Sequence, residues 1–67
     1  MSNNLVPRGC YPYNEWEVSF TEDDGTVYYE SVVEYYYSNG TPCGVLIDLY
    51  VNNEFVKQEF VKYDPAL

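Results

Sequence analysis

The clearest pattern in the chain is a strict alternation of apolar and polar residues over 15–21. Trp16, Val18 and Phe20 alternate with glutamate, serine and threonine side chains. In an extended strand, successive side chains point to opposite faces, so this spacing places the three apolar residues on one face. The pattern therefore predicts a half-buried strand.

A turn and a second strand follow this first strand. Residues 22–25 read EDDG, in which the two aspartates suit a type I turn and Gly25 suits the left-handed position that follows it. The TVYYE segment at 26–30 is rich in strand-forming residues. These features predict a hairpin in which Phe20 lies opposite Tyr28.

The strongest hairpin signal lies in the C-terminal third of the chain. Two segments rich in strand-forming residues, 45–51 and 54–63, flank Asn52-Asn53, a two-residue turn that tolerates positive φ. The predicted register pairs Val51 with Glu54, Leu49 with Val56, Ile47 with Gln58 and Val45 with Phe60 on one face, and Tyr50 with Phe55 and Asp48 with Lys57 on the other.

The segment 31–40, SVVEYYYSNG, fits two structures. Its valines and tyrosines favour a strand. Ser31 and Glu34, however, have the spacing of a helix capping box, and Asn39-Gly40 suits a helix C-terminus. A single strand over 26–38 would also be much longer than the seven-residue strand predicted to pair with it. We therefore predict a short helix here, with a strand as the alternative.

Together these elements predict an α+β fold, a small antiparallel sheet of four strands with one short helix between the two hairpins. The alternative is an all-β meander. Residues 15–67 form the single predicted domain, and 1–14 form an N-terminal arm. Within the arm, the LVPRG segment is either native or a remnant of a thrombin-cleavable tag.

The composition excludes several classes of protein. The chain has 67 residues and a net charge of -8, from eleven acidic and three basic residues. No apolar run approaches the ~20 residues of a membrane span. Direct binding to nucleic acid depends on Lys and Arg, which are scarce here. The 19% aromatic content argues against disorder.

The residues also argue against an enzyme. The chain has no histidine, and its two thiols, Cys10 and Cys43, have no base to activate them. We expect no catalytic residue, no cofactor and no metal site, because a zinc site needs more ligands than two cysteines. No secretory signal is evident, so we predict a cytoplasmic protein with free thiols.

The distribution of charge is the strongest functional signal. No Lys or Arg occurs between Gly9 and Val56, whereas nine of the eleven acidic residues do. An acidic surface of this kind can imitate the phosphates of DNA and dock on a protein's nucleic-acid site, guided by complementary fields. The simpler interpretation is that the charge serves solubility alone.

The tyrosines are a second signal. Tyr35, Tyr36 and Tyr37 are consecutive, so they cannot all point into a core, either on a strand or on a helix. Tyrosine offers a large and rigid contact area and is common at interfaces. A small core completed with amphipathic aromatics would also account for them, but we favour an interface.

Two segments resemble the small dimeric phage inhibitors of uracil-DNA glycosylase. The acidic turn followed by Tyr28-Tyr29-Glu30 is similar to one motif of that family, and Val33, Glu34 and Tyr37 are similar to its helix motif. The resemblance implies a β-β-α-β fold, a dimer, and a hydrophobic pocket that captures the glycosylase's DNA-intercalating loop. The partner-binding residues predicted on this basis are Glu22, Asp23, Asp24, Glu30, Val33, Glu34, Tyr36 and Tyr37.

The predicted function is therefore that of an acidic, phage-type DNA mimic that blocks a basic DNA-binding enzyme in the host cytoplasm. Uracil-DNA glycosylase is the most concrete target, and an anti-CRISPR or anti-restriction inhibitor is an alternative. A second alternative is a small accessory or structural subunit that binds through an apolar face of the 45–63 hairpin. We expect no membrane partner, and a homodimer is one arrangement that would stabilise so short a chain.

Overall fold

The computed structural model describes residues 5–63, which form one antiparallel sheet of four strands. The strands lie side by side in chain order, so each is connected to its neighbour by a turn. They are β1 (Cys10–Thr21), β2 (Val27–Tyr37), β3 (Pro42–Val51) and β4 (Glu54–Lys62).

The predicted helix at 31–38 is wrong. β2 runs through this segment without interruption, and Ser31 lies between Glu17 of β1 and Asp48 of β3 instead of capping a helix. The argument from strand length fails because β1 begins at Cys10, so its 12 residues match the 11 of β2. Strand partners on both sides outweigh the local capping signal.

The α+β fold class is therefore incorrect, and the all-β meander fits. No helix occurs in the described range 5–63. The number and antiparallel arrangement of the four strands are as predicted, but β1 begins at Cys10, within the predicted N-terminal arm 1–14, and β2 extends to Tyr37.

The first hairpin is confirmed in detail. The Glu22 N–H donates to the Thr26 carbonyl at 2.9 Å, and the Gly25 N–H donates to the Glu22 carbonyl at 2.9 Å. Gly25 has a φ of 91°, the left-handed value that the predicted turn requires. Phe20 lies opposite Tyr28, as expected.

The second hairpin has the predicted turn but a different register. Asn52 and Asn53 have φ values of 51° and 69°, and Val51 pairs with Glu54. A register shift between Leu49 and Tyr50 then leaves one extra residue in β4. Beyond it, the observed pairs are Leu49 with Lys57, Asp48 with Gln58, Ile47 with Glu59 and Val45 with Val61.

This shift moves Phe60 to the other side of the sheet from the predicted one. Phe60 now lies opposite Leu46, and its ring packs edge-on against Tyr35 with 6.1 Å between centroids. Lys57 pairs with Glu59 at 3.4 Å instead of with Asp48. Burial of an aromatic side chain beside Leu46 is a physical reason for the bulge, because large rings contribute most to so small a core.

The strand registers divide the side chains between two faces. The front face comprises Trp16, Val18, Phe20, Tyr28, Glu30, Val32, Glu34, Tyr36, Val45, Ile47, Leu49, Val51, Glu54, Lys57, Glu59 and Val61. The back face comprises Glu15, Glu17, Tyr29, Ser31, Val33, Tyr35, Tyr37, Gly44, Leu46, Asp48, Tyr50, Phe55, Gln58, Phe60 and Lys62.

The core is small because no second layer formed by residues 5–63 covers either face. Among the described residues, only Val32 on the front face, Leu46 on the back face and Cys43 are buried apolar side chains. Folded domains ordinarily bury sheet faces against another layer. Both faces of this sheet therefore present apolar surface to solvent.

The prediction of free thiols is also wrong, because Cys10 and Cys43 form a disulfide bond. The bond connects residues 33 positions apart in the sequence. Cys43 is 1% exposed, so the cross-link lies in the best-buried part of the molecule.

Candidate functional site

Two turns meet at one end of the sheet and carry a group of exposed carboxylates. The Asn52 side chain accepts a hydrogen bond from the Val27 N–H at 3.0 Å, and the Asn52 N–H donates to the Val27 carbonyl at 2.8 Å. These bonds tie the β3–β4 turn to the start of β2. We call the carboxylates assembled here, Glu22, Asp23, Asp24 and Glu54, the acidic end; all four residues are exposed.

Local hydrogen bonds hold part of the acidic end in place. Asp24 accepts a hydrogen bond from the Thr26 N–H at 2.9 Å, and this bond lowers the pKa of the Asp24 carboxyl. The Tyr28 hydroxyl donates to Glu22 at 3.4 Å, and the negative charge of Glu22 raises the pKa of Tyr28. The folded state therefore favours the ionised carboxylate of Asp24 and the neutral phenol of Tyr28.

The basic residues lie away from the acidic end. Arg8 precedes the first residue of β1, and Lys62 is the last residue of β4, so both are at the opposite end of the sheet. Lys57 is in the middle of β4 and is already paired with Glu59. The acidic and basic residues that are separated in the sequence are thus also separated in the structure, because the acidic end lies at one end of the strands and Arg8 and Lys62 lie at the other.

An apolar patch adjoins the acidic end on the front face. Phe20 and Tyr28 stack with 6.4 Å between ring centroids and an interplanar angle of 29°. Together with Val18, Glu30 and Leu49 they line a shallow concavity of about 340 Å³. Phe20 is 59% exposed. This patch combines exposed aromatic surface with the half-buried carboxylate of Glu30.

Glu34 is the centre of a second cluster, near the opposite end. It accepts hydrogen bonds from the Asn14 amide at 3.0 Å and from the Tyr63 hydroxyl at 2.8 Å. Both bonds lower the pKa of Glu34, and the bond from Asn14 has the larger effect. The bond to Glu34 raises the pKa of Tyr63. A concavity of about 490 Å³ lies here, lined by Glu34, Tyr36, Tyr37, Thr41, Pro42, Cys43, Lys62 and Tyr63.

The residues predicted to bind a partner do not form one site. Glu22, Asp23 and Asp24 lie together at the acidic end, because they are consecutive residues of one turn. Because β2 is a strand, Glu30, Glu34 and Tyr36 are on the front face, whereas Val33 and Tyr37 are on the back face. The predicted helical grouping of Val33, Glu34 and Tyr37 is therefore incorrect.

The three consecutive tyrosines are divided in the same way. Tyr36 contacts Tyr13 on the front face, with 4.8 Å between ring centroids, and Tyr35 contacts Phe60 on the back face. All three tyrosines are half-buried. They therefore contribute mainly to the small core on the two faces of the sheet, and they do not form an exposed cluster.

Sequence reasoning missed several residues that shape these surfaces. Asn14 and Tyr63 hold Glu34, but neither belongs to a recognisable motif. Glu54 joins the acidic end although it is 30 residues from Asp24. The two turns at 22–25 and 52–53 were a usable signal, because alternate turns of an antiparallel meander lie at the same end of the sheet.

Two further features are absent from the part of the chain that the structure describes. Within 5–63, no group of three or more His, Cys, Asp or Glu side chains is arranged to hold a metal ion. In the same range, no helix has the length and apolar character needed to cross a membrane.

These features define the class of the molecule: a disulfide-linked, single-layer antiparallel sheet with an acidic end and exposed apolar faces. Comparisons with known protein families, with curated proteins and with solved structures find no match to this chain.

Proposed function

We propose that this protein is a DNA-mimic-type inhibitor, which binds a basic DNA-binding enzyme and occupies its nucleic-acid site. The observation that carries the proposal is the acidic end, where two separate turns place four exposed carboxylates at the same end of the sheet. No positive charge from the described residues neutralises this group, because Lys57 is paired with Glu59 and the other bases lie at the far end.

The neighbouring aromatic patch supports the same function. A surface of charges alone gives fast association but modest affinity, since exposed ion pairs contribute little. Tight complexes also bury aromatic anchors. Phe20 and Tyr28 provide such anchors beside Glu22, so one interface can combine phosphate-like charge with apolar burial.

Uracil-DNA glycosylase remains the most concrete target of this proposal. The acidic turn and the adjoining Tyr28-Tyr29-Glu30 segment, which carry the resemblance, are together at or near the acidic end. A pocket formed by a helix is not part of the proposal, because 31–38 is a strand.

The direct test measures whether the protein prevents a basic enzyme from binding DNA. Uracil-DNA glycosylase is assayed on a uracil-containing duplex with increasing protein, and a restriction endonuclease and a CRISPR nuclease are assayed in parallel. We expect competitive inhibition of at least one enzyme, with an affinity that falls steeply as salt shortens the Debye length from about 30 Å at 0.01 M to about 8 Å at 0.15 M.

A matched pair of variants tests the acidic end. Asp23→Asn with Glu54→Gln removes two of its charges, whereas Glu15→Gln with Glu17→Gln removes two charges elsewhere and leaves the Lys57–Glu59 pair intact. Each double variant has the same net charge. We expect the first to weaken inhibition about five- to thirtyfold and the second less than about twofold. Equal effects would mean that only total charge matters, and no inhibition of any enzyme would reject the proposal.

An accessory subunit is a second candidate, favoured by the exposure of Trp16 and Val18 on the front face, 44% and 45% respectively. A partner that covers this face would bind mainly through apolar burial. Its affinity would change little with salt. The salt dependence of partner binding therefore separates the two functions.

A further inference from the structure

β1 is an edge strand with one side open for hydrogen bonding. It pairs with β2 on one side, and no strand among residues 5–63 lies on the other. The backbone groups of Glu22 point toward β2, because its N–H and carbonyl both bond within the hairpin. Since this direction alternates along an antiparallel strand, Glu15, Glu17, Ser19 and Thr21 direct their backbone groups outward.

The open part of this edge is confined to Asn14–Thr21. Before it, Pro12 has no N–H to donate, and a register shift separates Pro12 from Asn14. Proline and bulges are two of the features by which proteins block unwanted strand pairing. Between Asn14 and Thr21 the strand has neither, and its register with β2 is regular.

The other edge of the sheet differs. β4 carries a bulge at its start and two lysines, Lys57 and Lys62, which are further features that discourage pairing. The two edges are therefore not equivalent. Within the described range 5–63, only β1 presents a long, regular row of backbone groups without a strand partner.

The side chains of β1 indicate which strand would pair with it. Glu15 and Glu17 lie on its back face, and Trp16, Val18 and Phe20 lie on its front face. Side chains directly opposite each other on paired strands interact, with opposite charges and aromatic–aliphatic pairs favourable. A complementary strand would alternate Lys or Arg with apolar residues.

A second copy of this chain is a poor partner for the same edge. An antiparallel pairing of two β1 strands centred on Trp16 would place Glu15 opposite Glu17 of the second copy, twice, and a pairing centred on Val18 would still place the two Glu17 residues on the same face and diagonal to each other. Like charges opposite each other are destabilising. Each copy also has a net charge of -8, which adds a general repulsion.

We propose that the Asn14–Thr21 edge of β1 binds an extended basic segment of another protein by adding it to the sheet as a fifth strand. Main-chain hydrogen bonds from the outward-facing residues would supply affinity, and the two glutamates with the apolar face would supply selectivity. This inference stands independently of the proposed function, because the acidic end takes no part in it.

The test uses a capped peptide as long as Asn14–Thr21 in which lysine alternates with valine. Binding is measured by calorimetry, and backbone amide exchange is followed by NMR. We expect binding to slow exchange at Glu15, Glu17, Ser19 and Thr21. The amides of Trp16 and Val18, which already face β2, should change little.

Two modifications separate strand addition from charge attraction. Ser19→Pro removes one outward N–H and leaves the ladder with β2 intact, so it should weaken binding at least about tenfold, whereas Ser19→Ala should not. In case the proline perturbs the fold, a peptide N-methylated at alternate residues tests the reciprocal bonds, which peptide N–H groups donate to the outward carbonyls of β1, with the unmodified protein. Two such peptides are possible, methylated at the odd or at the even residues. The one whose methyl groups replace the N–H groups that face β1 should bind at least about tenfold more weakly than the unmodified peptide.

The proposal is overturned if both N-methylated peptides bind as well as the unmodified one, or if the outward amides exchange equally fast with and without peptide. A peptide with the same composition but paired lysines and paired valines should bind more weakly, and equal binding would also count against strand addition. Sedimentation showing a dimer that Ser19→Pro disrupts would reject a basic strand as the occupant in favour of a second copy.

Discussion

Cys10 and Cys43 are joined by a disulfide bond although β2 lies between the strands that carry them. Their Cα atoms are 6.5 Å apart. In a flat sheet, strands separated by one intervening strand are about 9.5 Å apart. The start of β1 and the start of β3 therefore approach each other across the end of β2, and this is where β1 and β3 both carry register shifts.

Reduction of this disulfide should destabilise the protein strongly. A cross-link between residues 33 apart stabilises the folded state by about 4 kcal/mol through the entropy of the unfolded chain. The total free energy of unfolding of a 67-residue domain is only about 3–10 kcal/mol. Urea unfolding with and without reductant measures the difference. A Cys10→Ser variant, which has no disulfide, should show no response to reductant.

If the oxidised and reduced proteins unfold at the same urea concentration, the cross-link contributes nothing. The four-stranded sheet would then be stable on its packing alone.

Replacing Gly44 with alanine should separate β4 from β3. A Cβ atom at Gly44 would lie against the Val61 carbonyl oxygen, 2.7 Å from Phe60 Cζ and 2.9 Å from the Lys62 Cα. Most of these atoms belong to the backbone and cannot move aside cheaply. We expect a loss of about 1–3 kcal/mol in the free energy of unfolding.

Gly40→Ala is the matched control, because a Cβ atom there meets nothing within 4 Å. Its φ of 89° makes alanine somewhat strained, so a cost of about 1 kcal/mol is expected. The NMR shifts distinguish the two variants. Gly44→Ala should alter residues of β4, whereas Gly40→Ala should alter only the turn.

Leu46 should be far more important for stability than a similar apolar residue on an edge. Leu46 is 8% exposed between Val33 and Phe60, so Leu46→Ala should cost about 2 kcal/mol or more. Val56, the bulged residue of β4, is 52% exposed, and Val56→Ala should cost less than about 0.5 kcal/mol. Comparable losses in denaturant unfolding would indicate that a partner or a second layer covers β4.

The Glu34 cluster should make stability depend on pH at both extremes. Asn14 and Tyr63 lower the pKa of Glu34 below its ordinary value of 4.5, so the folded state favours the ionised carboxylate. This contribution is present above pH 4.5 and is lost as the pH falls through the lowered pKa. Tyr63 has a raised pKa, so its contribution is present below the ordinary pKa of 10.0 and is lost as the pH rises through the raised one.

Tyr63→Phe tests this linkage, since it removes one hydrogen bond to Glu34 and leaves that of Asn14. The pKa of Glu34, followed by carboxyl NMR, should rise toward 4.5, and the acid midpoint of unfolding should move to higher pH. Tyr11→Phe is a control, because the exposed Tyr11 makes no contact with Glu34 in the described residues. An unchanged Glu34 titration in Tyr63→Phe would mean that the bond does not persist in solution.

The two hairpin turns illustrate what local chemistry determines. The EDDG segment and the Asn52-Asn53 pair specify turns whose backbone needs positive φ, and the structure has those values at Gly25, Asn52 and Asn53. Turn chemistry acts over a few residues. For this reason the sequence predicted both hairpins, and also the four antiparallel strands that they join.

The register of β4 and the secondary structure of residues 31–38 depend instead on residues that are distant in the sequence. Ser31 and Glu34 have a capping spacing, but hydrogen bonds and packing from β1 and β3 hold this segment extended. The bulge in β4 places Phe60 beside Leu46 and Tyr35, a gain that no pattern within β4 reveals. The disulfide likewise follows from the approach of two strand ends.

Local sequence properties predicted the two hairpin turns, the presence of four antiparallel strands and the segregation of acidic from basic residues, because alternation, turn residues and charge act over short distances. Which residues share a face, and where the strands begin and end, depends on the tertiary structure. It placed Val33 on the opposite face from Glu34, placed Glu54 at the same end of the sheet as Glu22 and Asp24, and left the β1 edge without a strand partner among residues 5–63. These outcomes depend on strand pairing between residues far apart in the chain, where burial and backbone hydrogen bonds outweigh local preference.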